Sequence, residues 1–156
     1  MKGAVILPGS YDPVTLGHLD IIRRASDLYE EVFAVVFINP EKNYMFSSDD
    51  RVNMLRLAVS DLPNVRVDYS DGLVIDYMAE RGIEKIVKGY RNNTDLEYEK
   101  IQAEYNLKFG GFETELLLAD GRFSDVSSTL AREKIENGEN LSDILPDSVI
   151  EYIEKS

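Results

Sequence analysis

Cysteine is missing from all 156 residues, so neither a disulfide framework nor a thiolate metal site is available, and the chain suits a reducing compartment. Positive charge is scarce. Seventeen Lys and Arg against 29 Asp and Glu leave a formal charge of −12, which argues against non-specific nucleic-acid binding and against adhesion to an anionic membrane. No run approaches the ~18 consecutive apolar residues of a membrane-spanning helix, and the N-terminus leads directly into a strand pattern, so a soluble, cytoplasmic protein is expected. Neither G-x-G-x-x-G nor G-x-x-x-x-G-K-[ST] occurs, which removes the main signature of a dinucleotide oxidoreductase or a P-loop enzyme. Histidine occurs once, as His18. What is present is an ordinary 44% apolar composition over a length that suits one domain, 1–156, with one core.

Along the chain, Gly3–Leu7 and Val32–Ile38 are continuous apolar runs of the kind buried on both faces of a parallel sheet. Val65–Tyr69, a short strand centred on Ile86-Val87, and Glu113–Leu118 complete a set of five. Helical spacing fills the intervals. Leu19, Ile22, Ala25 and Tyr29 mark the first helix, and Ser47-x-x-Asp50 opens a second through about Ser60, with Val52, Leu55, Leu57 and Val59 available for packing. A third runs from Leu73 to Glu80 and stops at Gly82; Thr94-x-x-Glu97 opens a fourth through about Phe109; Ser127–Glu136 is a fifth. A short helical tail follows from about residue 138. Strands alternating with helices predict a single-domain, Rossmann-like doubly wound α/β sheet of five mainly parallel strands with helices on both faces. Ligands in such sheets bind beyond the carboxyl ends of the strands.

Leu7 to His18, LPGSYDPVTLGH, joins the first strand to the first helix. Thr15 suits the N-cap and His18 then falls in the first turn, where free N–H groups and the helix dipole favour an anion, most naturally a phosphate. Gly9 tolerates backbone angles other residues avoid, and Gly17, lacking a Cβ, lets a ligand approach the helix start. Lys42 follows the second strand, and Lys88 and Arg91 follow the fourth, so the predicted topology gathers cations at the edge that carries His18. In the fourth helix Glu99, Gln102 and Asn106 form one stripe beside an apolar stripe of Tyr98, Ile101, Tyr105 and Phe109; periodicity alone reads the polar stripe as the solvent face. Leu73 and Val74 read as core, and Ser127 as an N-cap.

Thr15-Leu16-Gly17-His18 resembles the T-x-G-H form of the H-x-G-H signature of the nucleotidylyltransferase superfamily, and GSYDPVTLGHLDII as a whole resembles the opening of the bacterial phosphopantetheine adenylyltransferase family. Asn39-Pro40-Glu41-Lys42, KGYRNNTDLEYE from Lys88 to Glu99, and Val126-Ser127-Ser128-Thr129 extend the likeness over nearly the full length. This chain has Lys88 where that family has arginine and Tyr90 where it has leucine, and its Ala119–Phe123 loop departs from the usual composition.

The resemblance implies transfer of AMP from ATP to 4′-phosphopantetheine, with Mg²⁺ as cofactor, coenzyme A as feedback inhibitor and a homohexameric assembly. Catalytic roles fall on Ser10, His18, Lys42 and Arg91. Contacts to ATP fall on Ser10, Tyr11, Gly17 and His18 in the first loop, on Gly89, Arg91 and Glu99 in the second block, and on Phe123, Ser127, Ser128 and Thr129 in the third. The phosphopantetheine side is implied for Ser10, Lys42, Leu73, Val74, Lys88 and Asn106. Another nucleotidylyltransferase, acting on nicotinamide mononucleotide or using CTP, a nucleotide sensor without turnover, and a structural protein are the alternatives.

Overall fold

The computed structural model describes residues 2–156, with Lys2 described by its backbone alone. The chain runs β1 (Lys2–Gly9), α1 (Leu16–Leu28), β2 (Tyr29–Phe37), α2 (Ser48–Ala58), β3 (Val65–Ser70), α3 (Val74–Arg81), β4 (Lys85–Tyr90), α4 (Asn93–Gly110), β5 (Glu113–Leu118), α5 (Ser128–Glu136) and α6 (Asp147–Glu154). The five strands lie in the order β3-β2-β1-β4-β5, all pairs parallel, with helices on both faces. This is the Rossmann-like α/β arrangement that alternating strand and helix patterns imply.

Alternation along each strand sorts side chains between two cores. Val5, Leu7, Ala34, Val36 and Val87 pack with α1, α2 and the C-terminal segment, whereas Ile6, Val35 and Ile86 pack on Tyr77, Met78 and Ile83 beneath α3. Every residue of Val32 and Ala34–Val36 is fully buried, which is why that run reads as continuous rather than alternating. The helical tail belongs to the first core: Ile144, Leu145 and Val149 are buried, the Leu16 N–H donates to the Ile144 carbonyl at 2.9 Å, and the Tyr152 hydroxyl donates to Asp50 at 2.6 Å.

Local chemistry moves several boundaries. Tyr29 is not the last helical position but the first of β2, with extended backbone and its ring in the core. Leu57 faces solvent. The cap of α4 is Asn92, whose Oδ1 accepts from the Asp95 N–H at 2.9 Å, rather than Thr94. Lys88 and Gly89 lie within β4, because pairing with β5 continues through Lys88↔Leu116, Gly89↔Leu117 and Tyr90↔Leu118. Gly82 and Gly111 end their helices in the left-handed region, at φ 66° and 73°.

One reversal matters for function. On α4 the polar stripe divides, with Glu99 buried, Asn106 half-buried and Gln102 exposed, and the apolar stripe turns out: Tyr98, Ile101, Tyr105 and Phe109 are between 47% and 63% exposed.

Ile22 is fully buried in the larger core. Ile22→Ala is expected to lower the unfolding free energy by about 2–5 kcal/mol, and Leu57→Ala by less than about 1, in urea titrations followed by circular dichroism.

Candidate active site

The site begins where β1 leaves β4. β1 pairs with β2 through Gly9↔Val36, but its ladder to β4 ends at Ile6↔Ile86. Pro8 has no N–H to offer, and its carbonyl accepts instead from Lys88 Nζ at 3.2 Å. The strands therefore part at the topological switch point, and a cavity of about 350 Å³ opens there, lined among others by Ser10, His18, Lys88, Arg91 and Ser127–Thr129.

His18 is fixed from behind by a reciprocal cap. Thr15 Oγ1 accepts from the His18 N–H at 3.3 Å, while His18 Nδ1 accepts from the Thr15 N–H at 3.0 Å. An acceptor at Nδ1 leaves the proton of the neutral ring on Nε2. The Tyr11 ring lies 5.0 Å from the imidazole, centroid to centroid, and its hydroxyl donates to the Leu7 carbonyl at 2.8 Å. Tyr11 holds φ at 48°, a left-handed conformation unfavourable for an aromatic residue, stabilised here by burial of the ring. A Cβ on Gly9 would come within 3.2 Å of that ring, so glycine makes room for it.

The start of α1 offers fewer free donors than its position suggests. The Leu16 N–H bonds Ile144 and the His18 N–H bonds Thr15, leaving that of Gly17. A Cβ at Gly17 would meet protein only at 3.5 Å or more, so packing does not require glycine there. Gly89 is different. Its Cβ would strike Ile21 at 2.7 Å, so its glycine serves the contact of β4 with α1. The start of α5 supplies further donors, since the N–H groups of Ser128 and Thr129 occupy its first turn at the cavity wall. Ser127 Oγ accepts from Leu130 at 3.0 Å and keeps its own proton to donate; Ser128 Oγ already donates to the Pro13 carbonyl at 2.8 Å, so its contribution is the backbone N–H.

Charges in the cavity are paired. Arg91 grips Asp95 through Nε at 2.9 Å and Nη2 at 3.3 Å, and Lys88 Nζ stands 3.4 Å from Glu99. Phe123 closes one side. A second chamber of about 260 Å³ adjoins the first and shares Pro8, Gly9, Ser10, Lys88, Tyr98 and Glu99 with it. Its walls are apolar at Phe37, Val74 and Ile86 and polar at Gln102, Asn106 and Thr114, and the Thr114 hydroxyl is buried without a partner.

Two sequence candidates stand apart. Lys42 is exposed on the β2–α2 loop and lines neither chamber, and Leu73, at the N-cap of α3, is 55% exposed rather than core. The fold brings together the ends of β1, β4 and α5, while the loop after β2 lies to one side. Asp12 and Asp95 carry no periodicity signal, and Tyr98 reads only as a member of the apolar stripe. Asp12, a carboxylate between Tyr11 and Pro13-Val14, carries the clearest signal: it is buried and accepts from the N–H groups of Met45 and Phe46 at 2.9 and 3.0 Å.

The family model described as cytidylyltransferase-like matches residues 6–134, a span that takes in every residue lining the two chambers. The chain belongs to the cytidylyltransferase-like family. It is a nucleotidyltransferase of that family, and the cavity at the β1–β4 opening is its candidate site. No helix among the described residues of this nucleotidyltransferase is long and apolar enough to cross a membrane.

Burial, then the charges of Lys88 and Arg91, push the His18 pKa from its ordinary 6.5 down to about 4. In a cytidylyltransferase-like cleft this makes His18 a neutral Nε2–H donor near pH 7, not a cation. Because the unfolded chain takes up this proton near pH 6.5 and the folded chain only near 4, stability contributed by the neutral ring is present above 6.5 and declines as pH falls toward 4. The single histidine makes this directly observable: imidazole resonances in a ¹H–¹⁵N correlation titration are expected to move with a midpoint near 4. A nucleotide phosphate bound beside the ring is expected to raise that midpoint.

Proposed function

We propose that this nucleotidyltransferase transfers the adenylyl group of ATP to 4′-phosphopantetheine, yielding dephospho-coenzyme A and pyrophosphate. The observation that carries this reading is the pair of joined chambers. One is floored by phosphate-binding donors, and the other is an apolar-walled slot with polar groups at Gln102, Asn106 and Thr114. They meet at Ser10 and Lys88, where an acceptor phosphate meets the nucleotide. A ligand with a phosphate at one end and an amide-bearing aliphatic arm at the other matches that sequence of surfaces.

In this reading an oxygen of the acceptor phosphate, already anionic near neutral pH, attacks the α-phosphorus in line. The new P–O bond forms as the bond to the β-phosphate oxygen breaks, and pyrophosphate leaves with that electron pair. No protein nucleophile is required. His18 Nε2–H donates to the α-phosphate oxygen as charge grows on it, and Ser10 and Lys88 orient the incoming phosphate. Arg91, the Ser127 hydroxyl and the N–H groups of Ser128 and Thr129 hold the ATP phosphates, with Tyr11, Gly17, Gly89, Glu99 and Phe123 around the nucleotide. By resemblance Lys42 acts on the reacting phosphates, its β2–α2 loop standing outside both chambers, and Leu73, Val74 and Asn106 follow the pantetheine arm.

When bound, Mg²⁺ would be held largely by the nucleotide's phosphate oxygens and water and would neutralise charge there. Among the described residues no three His, Cys, Asp or Glu side chains gather as a ligand set, and Asp95 and Glu99 are engaged by Arg91 and Lys88. The full span 1–156 acts as one catalytic unit in the cytoplasm, subject to feedback by coenzyme A. The outward apolar face of α4 supports a homo-oligomer, a hexamer by resemblance; Ile101→Glu is expected to lower the mass seen in sedimentation velocity.

Pyrophosphate release is the decisive assay. It is expected with ATP, Mg²⁺ and 4′-phosphopantetheine, and not with nicotinamide mononucleotide, with CTP in place of ATP, or without acceptor. His18→Ala is expected to lower kcat by about 10²–10³-fold with a much smaller change in KM for ATP. An unchanged kcat excludes the proposed donor role, and release with a different acceptor or nucleotide reassigns the substrate.

A further inference from the structure

We infer that Arg51, which no step above employs, is a positioning residue that holds the Lys42 loop in register from beneath the site, using the Ser10 carbonyl as its anchor. The inference rests on the adenylyl-transfer reading. Arg51 sits in the second turn of α2, is 1% exposed and is the bulkiest of the fully buried side chains. No carboxylate among the described residues pairs with it; Asp50, its neighbour on α2, instead accepts from Tyr152. Its Nη1 donates to the Ser10 carbonyl at 3.0 Å, its guanidinium lies 3.8 Å from the centroid of the Tyr44 ring, and its Nε is buried without a hydrogen-bond partner.

A buried cation so sparingly compensated is a costly way to fill space, and an apolar side chain of similar volume fills it without the desolvation penalty. What arginine supplies is a link. One end grips the β1–α1 loop at Ser10; its flat face clamps Tyr44 in the β2–α2 loop. Tyr44 in turn accepts from the Asn39 N–H at 2.9 Å and lies 5.7 Å beneath Lys42 Nζ. Asp12, also on the β1–α1 loop, fixes the far side through Met45 and Phe46. The otherwise exposed loop is thereby anchored on both sides of Lys42 to the segment that carries Ser10. Lys42 is a flexible point charge, so its aim depends on the loop that bears it. Displacing a catalytic group by about 1 Å is worth on the order of 100-fold in rate.

The test uses the full chain carrying Arg51→Met, Arg51→Lys, Tyr44→Leu, Lys42→Ala and the Arg51→Met/Lys42→Ala double variant. Hydrogen exchange of the ligand-free proteins reads the loop without reference to any substrate, and pyrophosphate release with 4′-phosphopantetheine reads the chemistry. Arg51→Met is expected to keep a cooperative melt, to speed exchange of the Asn39, Met45 and Phe46 amides about tenfold or more, and to lower kcat about 10- to 100-fold, with KM for ATP within about twofold. The double variant is expected to be no more than about twofold slower than Lys42→Ala alone, since both act through one group. Arg51→Lys is expected to recover part of the rate by regaining the bond to Ser10.

Loop exchange and kcat within about twofold of wild type in Arg51→Met overturn the inference, as does a double variant whose loss is the product of the two single losses. Should Arg51→Met fail to fold, Tyr44→Leu, which removes only the clamped ring, faces the same criteria. A wild-type protein that releases no pyrophosphate defeats the adenylyl-transfer reading instead, while faster loop exchange still distinguishes an intact Arg51 link from a failed one.

Discussion

The parting of β1 from β4 after Ile6↔Ile86 is the constraint on which the site depends. A parallel sheet leaves its strand ends without partners only where a neighbour departs, and Pro8 ensures the departure by lacking the N–H that would extend the ladder. Lys88 then fills the breach with its ammonium group instead of its backbone. That single exchange turns a sheet into a cleft, places a cation between two chambers, and sets the β1–α1 turn directly over the opening.

Around the cleft, polar groups are committed to structure before they are offered to a ligand. Thr15 and His18 satisfy one another at the start of α1, Ser127 caps α5, Ser128 holds Pro13, and Arg91 and Lys88 are paired with Asp95 and Glu99. Such prior engagement reduces the ordering a ligand must impose, and it leaves specific atoms available: His18 Nε2–H, the Ser127 proton and the N–H groups at the start of α5. A neutral histidine follows from the same arrangement, because desolvation of the ring, then the two nearby cations, disfavour a third positive charge. The overall charge of −12 is no obstacle, since donors that act at hydrogen-bond distance outweigh a field spread over the surface and screened by salt.

The helix α4 serves two surfaces. One edge presents Glu99, Gln102 and Asn106 to the second chamber, of which Glu99 alone is buried, while Tyr105 and Phe109, 4.6 Å apart, stack on the outside with Ile101 nearby. The edge that carries Glu99 borders a chamber rather than a packed core, so a rule that turns polar stripes toward water holds for Gln102 and fails for the buried Glu99. Tyr98 spans both surfaces, exposed yet lining both chambers.

Elements whose chemistry is local were determined by the sequence alone: five strands from apolar runs, the Thr15 and Ser47 caps, the Gly82 stop, and the strand–turn–helix around Leu7–His18. Nearest-neighbour sterics and hydrogen bonds act within a few residues, so their signals sit in short windows. The tertiary structure alone decided which strand ends converge. It set Lys42 to one side and Val74 in a wall, extended β4 through Lys88 by pairing it with β5, and buried Arg51 under Ser10, 41 residues away in sequence. It also spent the Leu16 and Ser128 donors on Ile144 and Pro13. These outcomes depend on contacts between distant segments, and no local window contains the partner that settles where a donor or a charge will go.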